Sequence, residues 1–72
     1  MGRAGKALSQ VLKKYDISQS ELAAKMAIDR STINRWVNES RDPTAEAIVS
    51  IKNALTEMET KAGKEFVKLF LD

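Results

Sequence analysis

Ser18-Gln19-Ser20-Glu21-Leu22-Ala23-Ala24-Lys25-Met26-Ala27-Ile28-Asp29-Arg30-Ser31-Thr32-Ile33-Asn34-Arg35-Trp36-Val37-Asn38 carries two helix starts eleven residues apart, and that spacing decides the fold. Ser18 with Glu21 three positions on forms a capping box, in which each side chain satisfies a backbone N–H that the first turn of a helix leaves without a partner. Ile17 before the cap and Leu22 after it stand at the spacing of a hydrophobic staple. Asp29 repeats the signature as an N-cap, with Ile28 and Ile33 as its staple. The first of these helices is therefore about two turns long and is joined to the second by a turn near Met26, Ala27 and Ile28. The pattern predicts a tight helix, turn, helix, with the second helix running from about Arg30 to Asn38.

Working outward, Ala4, Ala7, Leu8, Val11, Leu12 and Tyr15 recur by threes and fours along one stripe of a preceding helix that closes at Asp16. On the other side, Arg41, Asp42 and Pro43 end a connection, and Thr44 caps a further helix with Ile48, Ile51, Ala54 and Leu55 inward. Thr56 and Glu59 offer another capping box, yet the stripe Ile48, Ile51, Leu55, Met58, Ala62, Phe66, Leu69 runs through it unbroken. One long helix and two helices both fit. A break near Thr56, with a last helix over about 57–71, is expected because a compact domain buries the stripe. No alternating run long enough for a half-buried strand exists, so the chain reads as all-α with five helices.

Seventy-two residues suffice for one domain spanning 1–72, and a chain this short buries only about 60% of its unfolded surface. Without cysteine there is no disulfide to staple it, so helix packing and capping must supply its stability. No apolar run reaches the length of a membrane span, and residues 1–6 lack the apolar stretch of a secretory signal, which points to a cytoplasmic protein. Residues 1–41 carry eight Lys or Arg against four Asp or Glu, whereas residues 42–72 carry four against six. The basic half favours an anionic partner. With no histidine, no cysteine, no glycine-rich phosphate loop and no paired carboxylates in a recognisable setting, nothing indicates an enzyme, a metal site or a bound cofactor.

At about 100° per residue, Arg30, Asn34, Asn38, Ser31 and Arg35 fall within an arc of roughly 140°. Thr32, Ile33, Trp36 and Val37 occupy the rest. The polar arc holds two arginines and two asparagines and no carboxylate, although solvent-facing helices usually mix both signs. Duplex DNA accounts for such a bias. A helix fits the major groove, arginine can bond O6 and N7 of guanine together, and asparagine can bond N6 and N7 of adenine together. Trp36, although aromatic, lies in the inner arc and is expected in the core. A purely structural use of Arg35 would be an ion pair with Glu39 one turn on.

The stretch from Leu12 to Leu55, about 60% of the chain, resembles the phage-repressor family of helix-turn-helix proteins, also called the Cro or Xre family. The motif lies in Ser18 to Met26, Ile28 to Trp36, and Pro43. The resemblance implies a compact five-helix, lambda-repressor-like domain that binds double-stranded DNA as a small prokaryotic or phage-type transcriptional regulator, a repressor by expectation. It implies base contacts from Arg30, Ser31 and Arg35, with Asn34 as a further candidate, and phosphate contacts from Gln19, Asn38, Ser40 and Arg41. Ala23 matches a small residue that lets the two motif helices approach. The chain departs from the family where glycine is common, at Ala27 and at Glu39. Alanine in a left-handed conformation would be strained by roughly 1 kcal/mol, and Glu39 is expected to send the loop to Asp42 along a different path.

The last residues raise a second function. Five of the six residues in Phe66-Val67-Lys68-Leu69-Phe70-Leu71 are apolar, more than one helix stripe can bury. Val67, Phe70 and Leu71 are accordingly expected at a homodimer surface, which would suit two-fold DNA half-sites. The alternative is a protein-interaction module, such as an antitoxin or co-regulator, that uses this apolar helix. No small-molecule ligand is expected, since no sensing domain fits in this length.

Overall fold

The computed structural model describes residues 3–72, and Met1 and Gly2, on which the leader reading also falls, lie outside the described residues. The elements are α1 (Arg3–Lys14), α2 (Gln19–Met26), α3 (Arg30–Val37), α4 (Ala45–Met58) and α5 (Thr60–Leu71). No strand occurs among the described residues.

Local chemistry sets most of the helix starts. At α2 the capping box closes in both directions: the Ser18 N–H donates to Glu21 Oε1 at 2.8 Å, and the Glu21 N–H donates to Ser18 Oγ at 3.0 Å. At α4 the Ala47 N–H donates to Thr44 Oγ1 at 3.1 Å. Asp29 differs from expectation. It holds the extended N-cap backbone, but its carboxylate accepts no capping hydrogen bond. The α3 start rests instead on the Thr32 N–H donating to the Asp29 carbonyl at 3.0 Å and on the burial of Ile33 beside a half-buried Ile28. Ser18→Ala should therefore cost about 1 kcal/mol of stability, and Asp29→Ala only a few tenths, in urea unfolding followed by circular dichroism. Equal losses would show that the Asp29 carboxylate caps α3 in solution.

The first three helices all end alike. Ile17 N–H reaches back to the Leu12 carbonyl and Asp16 N–H to that of Lys13. Ile28 and Ala27 do the same to Ala23 and Ala24, and Ser40 and Glu39 to Arg35 and Trp36. These pairs of six-to-one and five-to-two bonds form Schellman motifs, which need one left-handed residue each. Here that residue is never glycine: Asp16, Ala27 and Glu39 take φ of 56°, 58° and 64°. The strain expected at Ala27 is present. The detour expected at Glu39 is not, because Glu39 itself adopts the conformation glycine would supply, and the backbone bears the strain.

Helices α4 and α5 are separate, with the break three residues beyond the expected Thr56. The Thr56 hydroxyl donates to the Lys52 carbonyl at 2.7 Å, within α4, and so forms no capping box with Glu59. Glu59, with extended backbone, caps α5 by accepting from the Lys61 N–H at 3.3 Å. The turn brings α5 back across α4 and α1, while α3 packs on α1 and α2. The radius of gyration is 10.4 Å, close to the ~11 Å of a folded chain of this length, so α5 does not protrude.

Leu8, Val11, Leu22, Ile33, Ile51, Leu55 and Phe66 are fully buried, drawing on all five helices. No polar or charged residue among those described is buried. Burial of apolar side chains, at roughly 25 cal/mol per Å² removed from water, is thus what holds the helices together. Among the described residues, ion pairs at the periphery join Lys14 to Glu65 at 3.3 Å and Lys25 to Glu57 at 2.8 Å, each with at least one partner exposed. Pairs this open to solvent add little.

Candidate nucleic-acid interface

The two sides of α3 separate as the arc predicts. Ile33 and Trp36 are buried and Thr32 and Val37 half-buried, while Arg30, Ser31, Asn34, Arg35 and Asn38 are exposed. Trp36 is 7% exposed, which places it in the core. Arg35 makes no ion pair with Glu39 among the described residues, and the Glu39 side chain lies instead toward Gly5 of α1. The guanidinium of Arg35 is thereby left on the outer face together with that of Arg30.

The start of α2 lies beside this face. Gln19, half-buried, accepts at Oε1 from Asn34 Nδ2 at 3.4 Å. Asn34 Oδ1 in turn accepts from Asn38 Nδ2 at 2.9 Å, and Asn38 Oδ1 accepts from both the backbone N–H (3.3 Å) and the hydroxyl of Ser40. The geometry thus joins four residues assigned separately from sequence into one polar chain across the motif. The i to i+4 spacing of Asn34 and Asn38 was a signal for the central link. The Gln19 to Asn34 link spans fifteen residues and depends on how α2 meets α3, so no local pattern reveals it.

This chain alters the expectation for Ser40. Its hydroxyl proton goes to Asn38, and its N–H is shared between Asn38 and the Arg35 carbonyl. A phosphate accepts and cannot donate, so Ser40 as placed has no donor to offer it. Arg41, exposed on the next residue, does. At the start of α2 the N–H groups of Gln19 and Ser20 lie in the first turn, where a helix supplies no partner, and the helix dipole favours an anion there.

Glu39 is an exposed carboxylate in the turn that follows α3, and it stands in a strained conformation. Glu39→Gly should raise stability by about 0.5–1 kcal/mol through relief of the positive φ. It should also tighten duplex DNA binding at low salt, because a like-signed charge leaves the turn. Thermal unfolding and a titration with labelled duplex measure the two effects separately.

The residues expected at a dimer surface lie elsewhere, on α5. Leu71 is 70% exposed, whereas Val67 and Phe70 are half-buried, with Phe70 stacked on Phe66 at 6.3 Å between ring centroids. Val49 on α4 is a second exposed aliphatic residue, outside the apolar stripe from Ile48 to Leu69. Among the described residues no helix is long and apolar enough to cross a membrane, and no His, Cys, Asp or Glu cluster is able to hold a metal ion.

Two short helices set at a tight turn, the second buried on its apolar side and presenting arginine and amide groups outward, define a DNA-binding domain. A family model described as Helix-turn-helix matches residues 8–56, which run from within α1 to within α4. The chain belongs to the Cro/C1/Xre-type helix-turn-helix family, and in general class it is a DNA-binding transcription regulator. Searches among curated proteins and among solved structures returned no match.

Proposed function

We propose that the protein binds double-stranded DNA sequence-specifically, with α3 in the major groove, and that it acts as a repressor. The observation that carries this reading is the exposed, carboxylate-free face of α3 beside the N-terminus of α2. Arg30, Ser31 and Arg35 read base edges, with Asn34 on the same face. Gln19, Asn38 and Arg41 hold phosphates, and Ser40 serves by orienting Asn38. Occupancy alone suffices to block a promoter that overlaps the site, and this makes repression the reading. The work is done in whichever compartment holds the DNA, the cytoplasm of a prokaryotic cell.

Selection of bound fragments from a random duplex pool would give the site, its symmetry and its spacing together. On the selected duplex, Arg35→Ala should cost about 1–3 kcal/mol and relax base choice at one position, while Gln19→Ala should weaken all sequences alike. Equal losses on every sequence for both variants would remove the assignment of α3 as the reading helix. A protein that shows no salt-dependent binding to any duplex at low ionic strength is not a DNA-binding regulator.

Homodimerisation through α5 is part of the same proposal, supported by exposed Leu71 at the end of a helix whose Val67 and Phe70 are also only partly covered. Two domains on paired half-sites double the phosphate contacts of one. Light scattering on the wild type and on Leu71→Glu tests it: a dimer that becomes a monomer is the expected result. A monomer in both, with a two-fold symmetric site absent from the selection, points away from self-association.

A further inference from the structure

The chain of hydrogen bonds from Ser40 to Gln19 has a direction. Every donor points toward α2: Ser40 gives to Asn38, Asn38 gives to Asn34, and Asn34 gives to Gln19. A carboxamide has one end that accepts and one that donates, so the orientation of each amide is set by the one before it. At the far end Gln19 receives on Oε1, which turns its Nε2, with two N–H donors, away from Asn34. An amide of Gln19 with the opposite orientation would offer an oxygen to the DNA backbone, where phosphate oxygens would repel it. Asn34 has each end of its own amide engaged before any base arrives.

From this geometry we propose that Asn34 is a positioning residue rather than a reader of bases. Held by Asn38, it fixes the Gln19 carboxamide so that its donors face the DNA backbone, and it thereby couples the grip at the start of α2 to the turn that follows α3. The inference rests on the DNA-binding reading above and assigns one residue of that face a different task. Sequence choice then falls to Arg30, Ser31 and Arg35. The Schellman turn at Glu39 gains a use as well, since it places Ser40 where both its donors meet Asn38.

The test uses the duplex selected by the wild type, a random-sequence duplex of the same length, and the variants Asn34→Ala, Gln19→Ala and the pair together. Asn34→Ala is expected to lower affinity about 3- to 10-fold, the worth of one neutral hydrogen bond, by the same factor on both duplexes. The double variant should bind no worse than Gln19→Ala alone, since Asn34 acts through Gln19. Repeat selection with Asn34→Ala should return the wild-type site. Relaxed preference at a single base pair, losses that multiply in the double variant, or no loss at all would each overturn the proposal. Binding is measured below the melting temperature of every variant, so that a loss of folding is not read as a loss of contact.

A second measurement needs no DNA. In the free wild-type protein, the Gln19 side-chain amide should show NMR shifts set apart from those of a solvated glutamine, and Asn34→Ala should bring them to solvated values. Unchanged Gln19 resonances would overturn the strut even where DNA binding is intact. Conversely, a wild type that binds no duplex, with this NMR change present, would sink the DNA reading and leave the hydrogen-bonded chain standing.

Discussion

Phe66→Ala should remove about 3–5 kcal/mol of stability, the usual loss when a fully buried phenylalanine is cut back and its cavity does not collapse. Phe66 has no exposed surface and belongs to the single core cluster that also contains Leu8, Ile51 and Leu55. A domain of this length has roughly 4–11 kcal/mol in total, so the variant loses about a quarter or more of its stability and, from the lower end of that range, is partly unfolded at room temperature. Urea unfolding by circular dichroism measures the loss, with Lys64→Ala on the exposed side of the same helix as the control expected to cost under about 0.5 kcal/mol. The result matters because α5 lies beyond residue 56, where the family match ends. A small loss at Phe66 would mean that α5 is an appendage and that the stretch 8–56 stands without it.

Gly5→Ala should cost about 2 kcal/mol or more and should damage DNA binding beyond its effect on folding. A Cβ at Gly5 would fall inside the contact distance of the Trp36 carbonyl oxygen, 3.2 Å from the carbonyl carbon and 3.4 Å from Glu39 Cγ. Alanine gains up to about 1 kcal/mol over glycine in a helix interior, but its neighbour here is backbone and has no rotamer through which to move aside. Overpacking of this kind typically costs 1–3 kcal/mol even against side chains, so the clash outweighs the propensity. Relief requires α1 and the end of α3 to separate. The Trp36 carbonyl also accepts the Glu39 N–H at 3.2 Å in the turn that carries Ser40, so the same displacement reaches the polar chain on the DNA face. Duplex affinity at a temperature where the variant is still folded is the measurement. Unchanged affinity and an unchanged melting temperature would mean that α1 and α3 stand farther apart in solution.

The fold was legible wherever a local signal has one meaning. Ser18 with Glu21, Thr44 before Ala47, and the two staples mark helix starts through contacts that span a few residues, and all of these elements are found in place. Asp29 shows the limit, since its residue type permits a cap but does not oblige the carboxylate to turn toward the helix. Thr56 shows another: its hydroxyl can serve a carbonyl four residues back as well as an N–H ahead, and an unbroken apolar stripe does not distinguish the two. The left-handed ends at Asp16 and Glu39 were hidden because the residue that usually advertises such a turn is absent.

The outer face of α3 followed from its 3.6-residue period alone, and all five of its members are exposed. What their side chains do with one another did not follow. The pairing of Gln19 with Asn34 and the commitment of both Ser40 donors arise from how two helices and a turn are set in space. Residue types name the donors and acceptors available, and only their placement shows which are already spent.

Trp36 is the sole tryptophan, and its indole lies on the side of α3 opposite the exposed arginines. The molecule therefore contains one indole fluorophore, excited apart from Tyr15 at the red edge of the absorption band and screened from solvent and from any ligand on the outer face. Its emission should be blue-shifted in the folded state and move to the red when α3 leaves the core. Added duplex cannot quench it by stacking on it, so a spectral change during a titration would report motion of the helix itself, read without label or tag.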